Sequence, residues 1–365
     1  MALDFTSALY LGLRHESGAL EGWDRLTPGA PAALREDPRA ALLAPALAAL
    51  IGCERAVLAT STLHAFTDVL ATLAGAGTEI HWDAGVYPIA RWVVERMQGR
   101  GVAARPFPHH DPDALSSAIQ GSAARPIVVA DGFCPRCGSA APVARYLEAA
   151  RTHGGTLVLD DTQALGIFGA GKGVYGAGGG GTLRHAGVGG ADVLVVASLA
   201  KAFGAPLAAI AGSSSLVRRI EEDGEARMHC SGPDAASIAA AFRALAVNQA
   251  RGDAMRDVLA DRVRRLRLAL RRAGLRLSQG LFPMQLVRPP RGQSAAALHR
   301  RLEESGVRSV LVGRNCAMGP AVALLVTALH APADIDCAAA AAAKAVGLPR
   351  ERRVANPVTG GQPWL

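Results

Sequence analysis

Lys201 follows the apolar run VLVV (193–196) on a turn of small residues, ASLAKAFGAP. A lysine buried beside small residues can lose its proton and attack a carbonyl, which makes a Schiff base its natural chemistry. Upstream, the apolar run of TLVLDDTQALG ends at Asp160, a carboxylate delivered at the mouth of a strand. A strand-end acid followed by a strand-end lysine is what a pyridoxal phosphate enzyme requires. The lysine holds the aldehyde, and the acid keeps the pyridine nitrogen protonated so that the ring accepts electrons.

The elements that must carry these residues follow from the pattern around them. Residues 1–40 are rich in Gly, Pro and Ala and read as an N-terminal arm, and the apolar spacing over 40–55 predicts a helix. From 56 to 245 short apolar runs alternate with helical segments; IVVADGF, TLVLDD, VLVVAS and AAIAGS are the clearest strands. Such alternation predicts an α/β fold with a mostly parallel sheet flanked by helices. Asp131, Asp160 and Lys201 then fall at the carboxyl ends of strands, where sites in these sheets collect. A long Arg-rich helix from about 251 leads into a smaller α+β unit. The expected division is an arm (1–40), a large cofactor-binding domain (41–245), a small C-terminal domain (246–347) and an irregular tail (348–365).

Three segments, DFTSALYLGL (4–13), LVLDDTQALG (157–166) and SLAKAFGAP (198–206), resemble signatures of the α-oxoamine synthase group within the fold type I, aspartate-aminotransferase-like enzymes. Order and spacing agree along nearly the whole chain. The resemblance implies pyridoxal 5'-phosphate as cofactor, a seven-stranded sheet and a homodimer sharing its active sites. It implies Lys201 as Schiff-base lysine and proton carrier and Asp160 as partner of the pyridinium nitrogen. Gln163 stands where the group usually has a histidine near the ring hydroxyl; it can donate a hydrogen bond but cannot change protonation state. Tyr87, in HWDAGVYPIA, takes the place of a ring-stacking histidine, and core packing is its alternative.

For the phosphate, the resemblance offers the amides of Thr62 and Leu63 at a helix N-terminus, the Ser198 hydroxyl, and Ser231 reaching across the dimer interface. Asp131 and Cys134, in ADGFCPRCG, align with an acid and a serine near the substrate. Cys134 and Cys137 also form a CxxC, but zinc would need two further ligands and no second CxxC or HxxxH exists, so no metal is expected. His109 and His110 read as structural.

The departures gather at the substrate end. Ala8 and Leu9 replace a polar pair, LTPGAPAALRED replaces a Gly-Ser-Arg segment, and Leu325 stands where the group presents an arginine to the substrate carboxylate. Arg314 is the nearest alternative anchor. The expectation is a transferase acting on an amino acid or a derivative through a quinonoid, with oxoamine synthase-like carbon–carbon bond formation and a second, anionic or CoA-type substrate. The alternatives are an aminotransferase, a β/γ-replacement enzyme or lyase acting on a modified amino acid such as S-adenosylmethionine, and a non-catalytic relative.

Composition limits the rest. The chain has 365 residues, half of them apolar, enough for a large and a small domain. No apolar run reaches the roughly 20 residues of a membrane span, the start lacks a secretory signal, and six cysteines in this length make no disulfide framework. A cytoplasmic enzyme is the expectation. The net charge of +8 lies largely in RDVLADRVRRLRLALRRAGLRL, which reads as a solvated helix face and not as a nucleic-acid surface, since interleaved aromatics are missing. The glycine-rich stretch 169–190 reads as a mobile loop, a flap over the active site; it nearly matches a phosphate-binding loop, but Gly173 stands where Ser or Thr would hold magnesium.

Overall fold

Strands whose residues are apolar without polar alternation must be covered on both faces; IVVAD, TLVLD, VLVVAS and AAIAG are such strands, and with three others they build a central sheet of seven. The computed structural model describes residues 2–313 and 319–347. In chain order the strands are β1 (Arg55–Ala59), β2 (Thr78–Asp83), β3 (Ala103–Phe107), β4 (Arg125–Asp131), β5 (Thr156–Asp160), β6 (Val193–Ser198) and β7 (Ala208–Gly212). They lie in the order β1-β7-β6-β5-β4-β2-β3, with β7 alone antiparallel to its neighbours. The expected seven-stranded, mostly parallel sheet is what the chain forms.

The period-2 pleat divides each strand between two cores. Val193, Val195 and Ala197 of β6 enter one, and Leu194 and Val196 the other. Helices α2 (Thr62–Leu73) and α3 (Pro88–Gly99) cover one face; α1 (Pro38–Ile51), α4 (Pro112–Gln120) and α5 (Val143–Thr152) contribute to the core on the other. Leu43 and Leu47 of α1 are fully buried, and each stabilises by about 1.5–3 kcal/mol. This helix is shorter than expected. Asp37 caps it by accepting from the Arg39 N–H (2.9 Å), and Gly52 ends it in the left-handed conformation, so Arg55 already belongs to β1.

Helix α6 (Thr182–Ala186) precedes β6, and beyond β7 come α7 (Ser214–Asp223), α8 (Glu225–His229) and α9 (Ala235–Arg272). Helix α9 is one rod of 38 residues. It begins well before residue 251, because the Ala-rich stretch after Asp234 is packed against the core, and residue 245 falls inside it. Its arginines are not all solvated: Arg256 and Arg267 are buried, and Arg256 donates to the Gly166 carbonyl (2.9 Å) and to Asn248 Oδ1 (2.8 Å).

The C-terminal unit holds an antiparallel sheet of β8 (Arg276–Leu277), β9 (Met284–Arg288), β10 (Val310–Val312) and β11 (Ala321–Leu325), ordered β8-β9-β11-β10, with helices α10 (Ala295–Glu304) and α11 (Pro332–Ala345). The start of the chain is tied to it: Leu3–Asp4 pairs with Val307–Arg308, and buried Phe5 stacks on His330 at 4.1 Å. The glycine-rich stretch folds back on itself through Leu165–Gly180 and Ala170–Ala177 bridges. Tyr175 is buried there and donates to the Leu281 carbonyl (2.7 Å), and a Cβ at Gly181 would overlap the Asp161 carboxylate. None of residues 169–190 lines the cavity described next, which corrects the expected flap.

Candidate active site

Because β4, β5 and β6 run parallel and in register, Asp131 lies directly beside Asp160, and Asp160 beside Val196. Their carboxyl ends therefore release Asp131, Asp160 and Ser198 along one edge. The turn after β6 brings Lys201 to the same edge, and the loop after β2 brings Tyr87. A cavity of about 670 Å³ lies between this edge and the C-terminal sheet. Thr62, Tyr87, Asp131, Cys134, Asp160, Gln163, Ser198, Lys201 and Leu325 all line it.

The hydrogen bonds at this edge fix the acids. Asp160 Oδ1 accepts from the Thr162 N–H (2.9 Å) and Asp131 Oδ1 from the Tyr87 N–H (3.1 Å). Thr162 Oγ1 in turn accepts from the Ser198 N–H (3.0 Å), joining the ends of β5 and β6. Burial pushes both carboxyls up, and Asp160 pushes Asp131 further, since two neighbouring carboxylates in low dielectric resist ionising together. Lys201 is pulled below the ordinary lysine range by desolvation, with the two aspartates opposing. Its Nζ lies 5.9 Å from the centre of the half-exposed Tyr87 ring.

Not every expected residue reaches the cavity within one chain. Leu63 is the second residue of α2 and its exposed side chain is no part of the wall. Ser231 sits at a separate small depression with Thr60 and Cys230, where its carbonyl accepts from the Thr60 hydroxyl (2.9 Å). Arg314 and the tail 348–365 lie outside the described residues, although Gly313 does line the cavity.

Four features escaped the sequence reading. Tyr10 is buried at the cavity and donates to Gln163 Oε1 (3.0 Å), which leaves the amide NH₂ of Gln163 as the donor for anything in the cavity. Its position inside the first motif was the available signal. Thr162 couples the two strand ends, as above. Among the described residues, Arg136, between the two cysteines, is with Lys201 one of two cationic side chains on the wall. Phe133, Met284, Val310 and Leu325 give the C-terminal side of the cavity an apolar face.

The linear sequence offers the CxxC no second motif, but the fold brings two histidines to it. His109 Nε2 lies 3.5 Å from Cys137 Sγ and His110 Nδ1 4.0 Å from it, delivered by the loop after β3, which linear spacing could not reveal. Asp83 is part of this cluster and not of the cavity wall. Its carboxylate accepts from the Gly85 N–H (2.7 Å), the His110 N–H (3.0 Å) and the Tyr146 hydroxyl (3.1 Å), and pairs with His109 Nδ1 (2.6 Å).

Comparison with known proteins agrees with this arrangement. Residues 36–341 match the family described as aminotransferase class I and II. The chain belongs to that family. The chain is 28% identical over 340 residues to 8-amino-7-oxononanoate synthase of Alkalilimnicola ehrlichii, covering 91% of this chain and 82% of that protein. A second 8-amino-7-oxononanoate synthase, from Halorhodospira halophila, is 28% identical over 296 residues, or 80% of this chain and 70% of the relative. Among solved structures, serine palmitoyltransferase of Sphingomonas wittichii superposes with a TM-score of 0.82 at 21% identity, covering 95% of this chain and 89% of that one. 8-amino-7-oxononanoate synthase of Francisella tularensis superposes with a TM-score of 0.76 at 15% identity, covering 95% and 98%. The fold is that of the fold type I transferases, and the family match runs from residue 36 to 341.

Proposed function

We propose that the chain is a pyridoxal phosphate-dependent transferase of the oxoamine synthase type, acting on an amino acid or a derivative whose carboxylate is held by Arg136. The single observation that carries this reading is the convergence of Lys201, Asp160, Tyr87, Ser198 and the α2 N-terminus on one cavity.

These residues fit the cofactor. Asp160 is a buried carboxyl whose ionised form needs a cation, which a protonated ring nitrogen would supply. Tyr87 presents a half-exposed ring beside Lys201, suited to covering a flat heterocycle. The start of α2, with the amides of Thr62 and Leu63, and the Ser198 hydroxyl suit a phosphate dianion. When bound, pyridoxal phosphate supplies an aldehyde for the lysine and a ring that delocalises negative charge from the substrate.

The chain's own groups then have separate tasks. Desolvation raises the neutral fraction of Lys201, which makes its amine both a nucleophile and a carrier of the proton on the substrate carbon. Gln163, its oxygen occupied by Tyr10, donates from its NH₂ group to an oxygen in the cavity. Asp131 accepts from the Tyr87 N–H, and burial together with the neighbouring Asp160 raises its carboxyl. With Leu325 at the usual arginine position, Arg136 is the carboxylate anchor within the described residues, and the apolar wall of Phe133, Met284 and Val310 accepts an acyl or other apolar group. The second substrate is an acyl thioester; Arg314, the anchor expected from the sequence, lies outside the described residues. The large N-terminal lobe and the small C-terminal lobe, joined through α9, act as cofactor-binding and substrate-closing domains of a homodimer in which Ser231 serves the partner's phosphate. No helix among the described residues is long and apolar enough to cross a membrane, and we assign the enzyme to the cytoplasm.

The test joins two measurements. Borohydride reduction of the protein loaded with pyridoxal phosphate should fix its mass on the Lys201 peptide; fixation elsewhere, or none, overturns the cofactor assignment. Arg136→Ala should weaken amino acid binding, followed by cofactor absorbance, by about 10- to 100-fold, the equivalent of losing a charge-assisted pair. An unchanged affinity across a panel of amino acids removes Arg136 as the anchor.

A further inference from the structure

We propose that Cys134, Cys137 and His109 form the core of a tetrahedral zinc site that fastens one wall of the cavity, with His110, whose Nδ1 stands 4.0 Å from Cys137 Sγ, beside it as the candidate fourth ligand. Nothing in the fold or in the transferase reading calls for it, and of its residues Cys134 also lines the cavity.

The two cysteines occupy a tight hairpin. Phe133–Cys134 pairs with Ser139–Ala140, and the Gly138 N–H closes the turn on the Cys134 carbonyl (2.9 Å). Gly138 has φ 76°, and a Cβ there would collide with the Gln279 carbonyl, so the turn is built for glycine. A CxxCG turn of this kind turns both thiols to one side. The ligand atoms of His109, Cys134 and Cys137 lie within 4.8 Å of one another. Zinc with sulfur at 2.3 Å and nitrogen at 2.0 Å has S···N edges of about 3.5 Å when tetrahedral. The Cys137 Sγ to His109 Nε2 distance is 3.5 Å.

The surroundings are those of a metal-bound histidine. His109 pairs through Nδ1 with Asp83, a buried carboxylate held by three further donors. Burial opposes the charge on Asp83, but these bonds hold it below the usual carboxylate range. That pairing places the proton on Nδ1 and turns the Nε2 lone pair toward Cys137, as in carboxylate–histidine–zinc arrangements. His110 stacks on His109 at 3.8 Å and is the one described residue other than glycine with positive φ, 58°. Asp83 holds it there through the His110 N–H. Its Nε2 is buried without a hydrogen-bond partner, while Nδ1 stands 4.0 Å from Cys137 Sγ. A strained backbone that turns a buried imidazole to a thiol is intelligible when the ring has a metal to bind.

Binding takes Zn²⁺ and releases one proton from each thiol, so two thiolates balance the ion's charge. The ion would join the hairpin that carries Cys134, Pro135 and Arg136 to the loop that follows β3. The consequence is a cavity wall fastened by a metal.

The experiment uses the full-length holoenzyme, purified under reducing conditions, with Zn²⁺ or Co²⁺ as the probe. One zinc per chain by mass spectrometry of the metal, protection of Cys134 and Cys137 from alkylation by added Zn²⁺, and a Co²⁺ spectrum with thiolate charge transfer and tetrahedral d–d bands are expected. Cys137→Ser should lose the retained zinc while still taking up pyridoxal phosphate. Should that variant fail to fold, alkylation of the unaltered protein decides alone. The proposal is overturned if reduced protein retains no stoichiometric zinc and both thiols alkylate at one rate with and without it. A Cys134–Cys137 disulfide in freshly isolated protein, or undiminished zinc in Cys137→Ser, overturns it equally.

Discussion

Asp161→Asn should make the protein's stability less dependent on pH. Asp161 is fully buried behind Asp160, and burial, with Asp160 adding to it, pushes its carboxyl from 3.8 to about 7 against the hydrogen bonds of Thr182. Folding raises this pKa, so between about pH 4 and pH 7 the native chain holds a proton that the unfolded chain has released. The group's contribution is therefore present at low pH and is lost as pH rises through 7. The whole change amounts to about 4 kcal/mol, at 1.36 kcal/mol for each pH unit between the two values. Roughly 2–3 kcal/mol of it falls between pH 5 and pH 8. Asparagine keeps a carbonyl oxygen for the Thr182 N–H, bonded at 3.0 Å, and does not titrate. Urea unfolding of both proteins at pH 5 and pH 8 cancels every other titrating group in the difference. The variant should gain on the unaltered protein by those 2–3 kcal/mol as pH rises, which for a chain of 365 residues is a melting shift of about 3 °C. Parallel stabilities at the two pH values would refute the reasoning and show that Asp161 is ionised throughout.

Two further outcomes test the site itself. The affinity for pyridoxal phosphate should rise with pH through a midpoint below lysine's ordinary 10.5, because desolvation lowers Lys201; a midpoint at or above 10.5, read from absorbance titrations, contradicts that. Tyr10→Phe should cost about 1 kcal/mol in urea unfolding, the net worth of its bond to Gln163, and should shift the cofactor's absorbance as the Gln163 amide reorients. An unmoved spectrum would separate Gln163 from the cofactor.

The strand ends were legible because a run such as VLVV can only be a covered strand, and a covered parallel strand must deliver its last residue to the shared edge. Lys201, Asp160 and Asp131 followed from that alone. What escaped was whatever depends on residues far apart in the chain. Tyr10 meets Gln163 across 153 positions, and His109 meets Cys137 across 28. The start of α9 was missed because its first residues are apolar all round and carry no amphipathic stripe. The glycine-rich stretch misled for the opposite reason: its order comes from backbone bridges and the buried Tyr175, neither of which composition records.

The length of α9 has a mechanical consequence. At 1.5 Å per residue it is about 57 Å long, rooted at one end beside the central sheet and carrying the C-terminal sheet near the other. It works as a lever: a 5° change of curvature at its midpoint carries the far end about 2.5 Å. Met284, Val310 and Leu325 travel with that end, so a motion too small to break any hydrogen bond in the rod would set the width of the gap facing Lys201. Bending of a helix whose middle lies outside the cavity wall would thus change the aperture of the cavity.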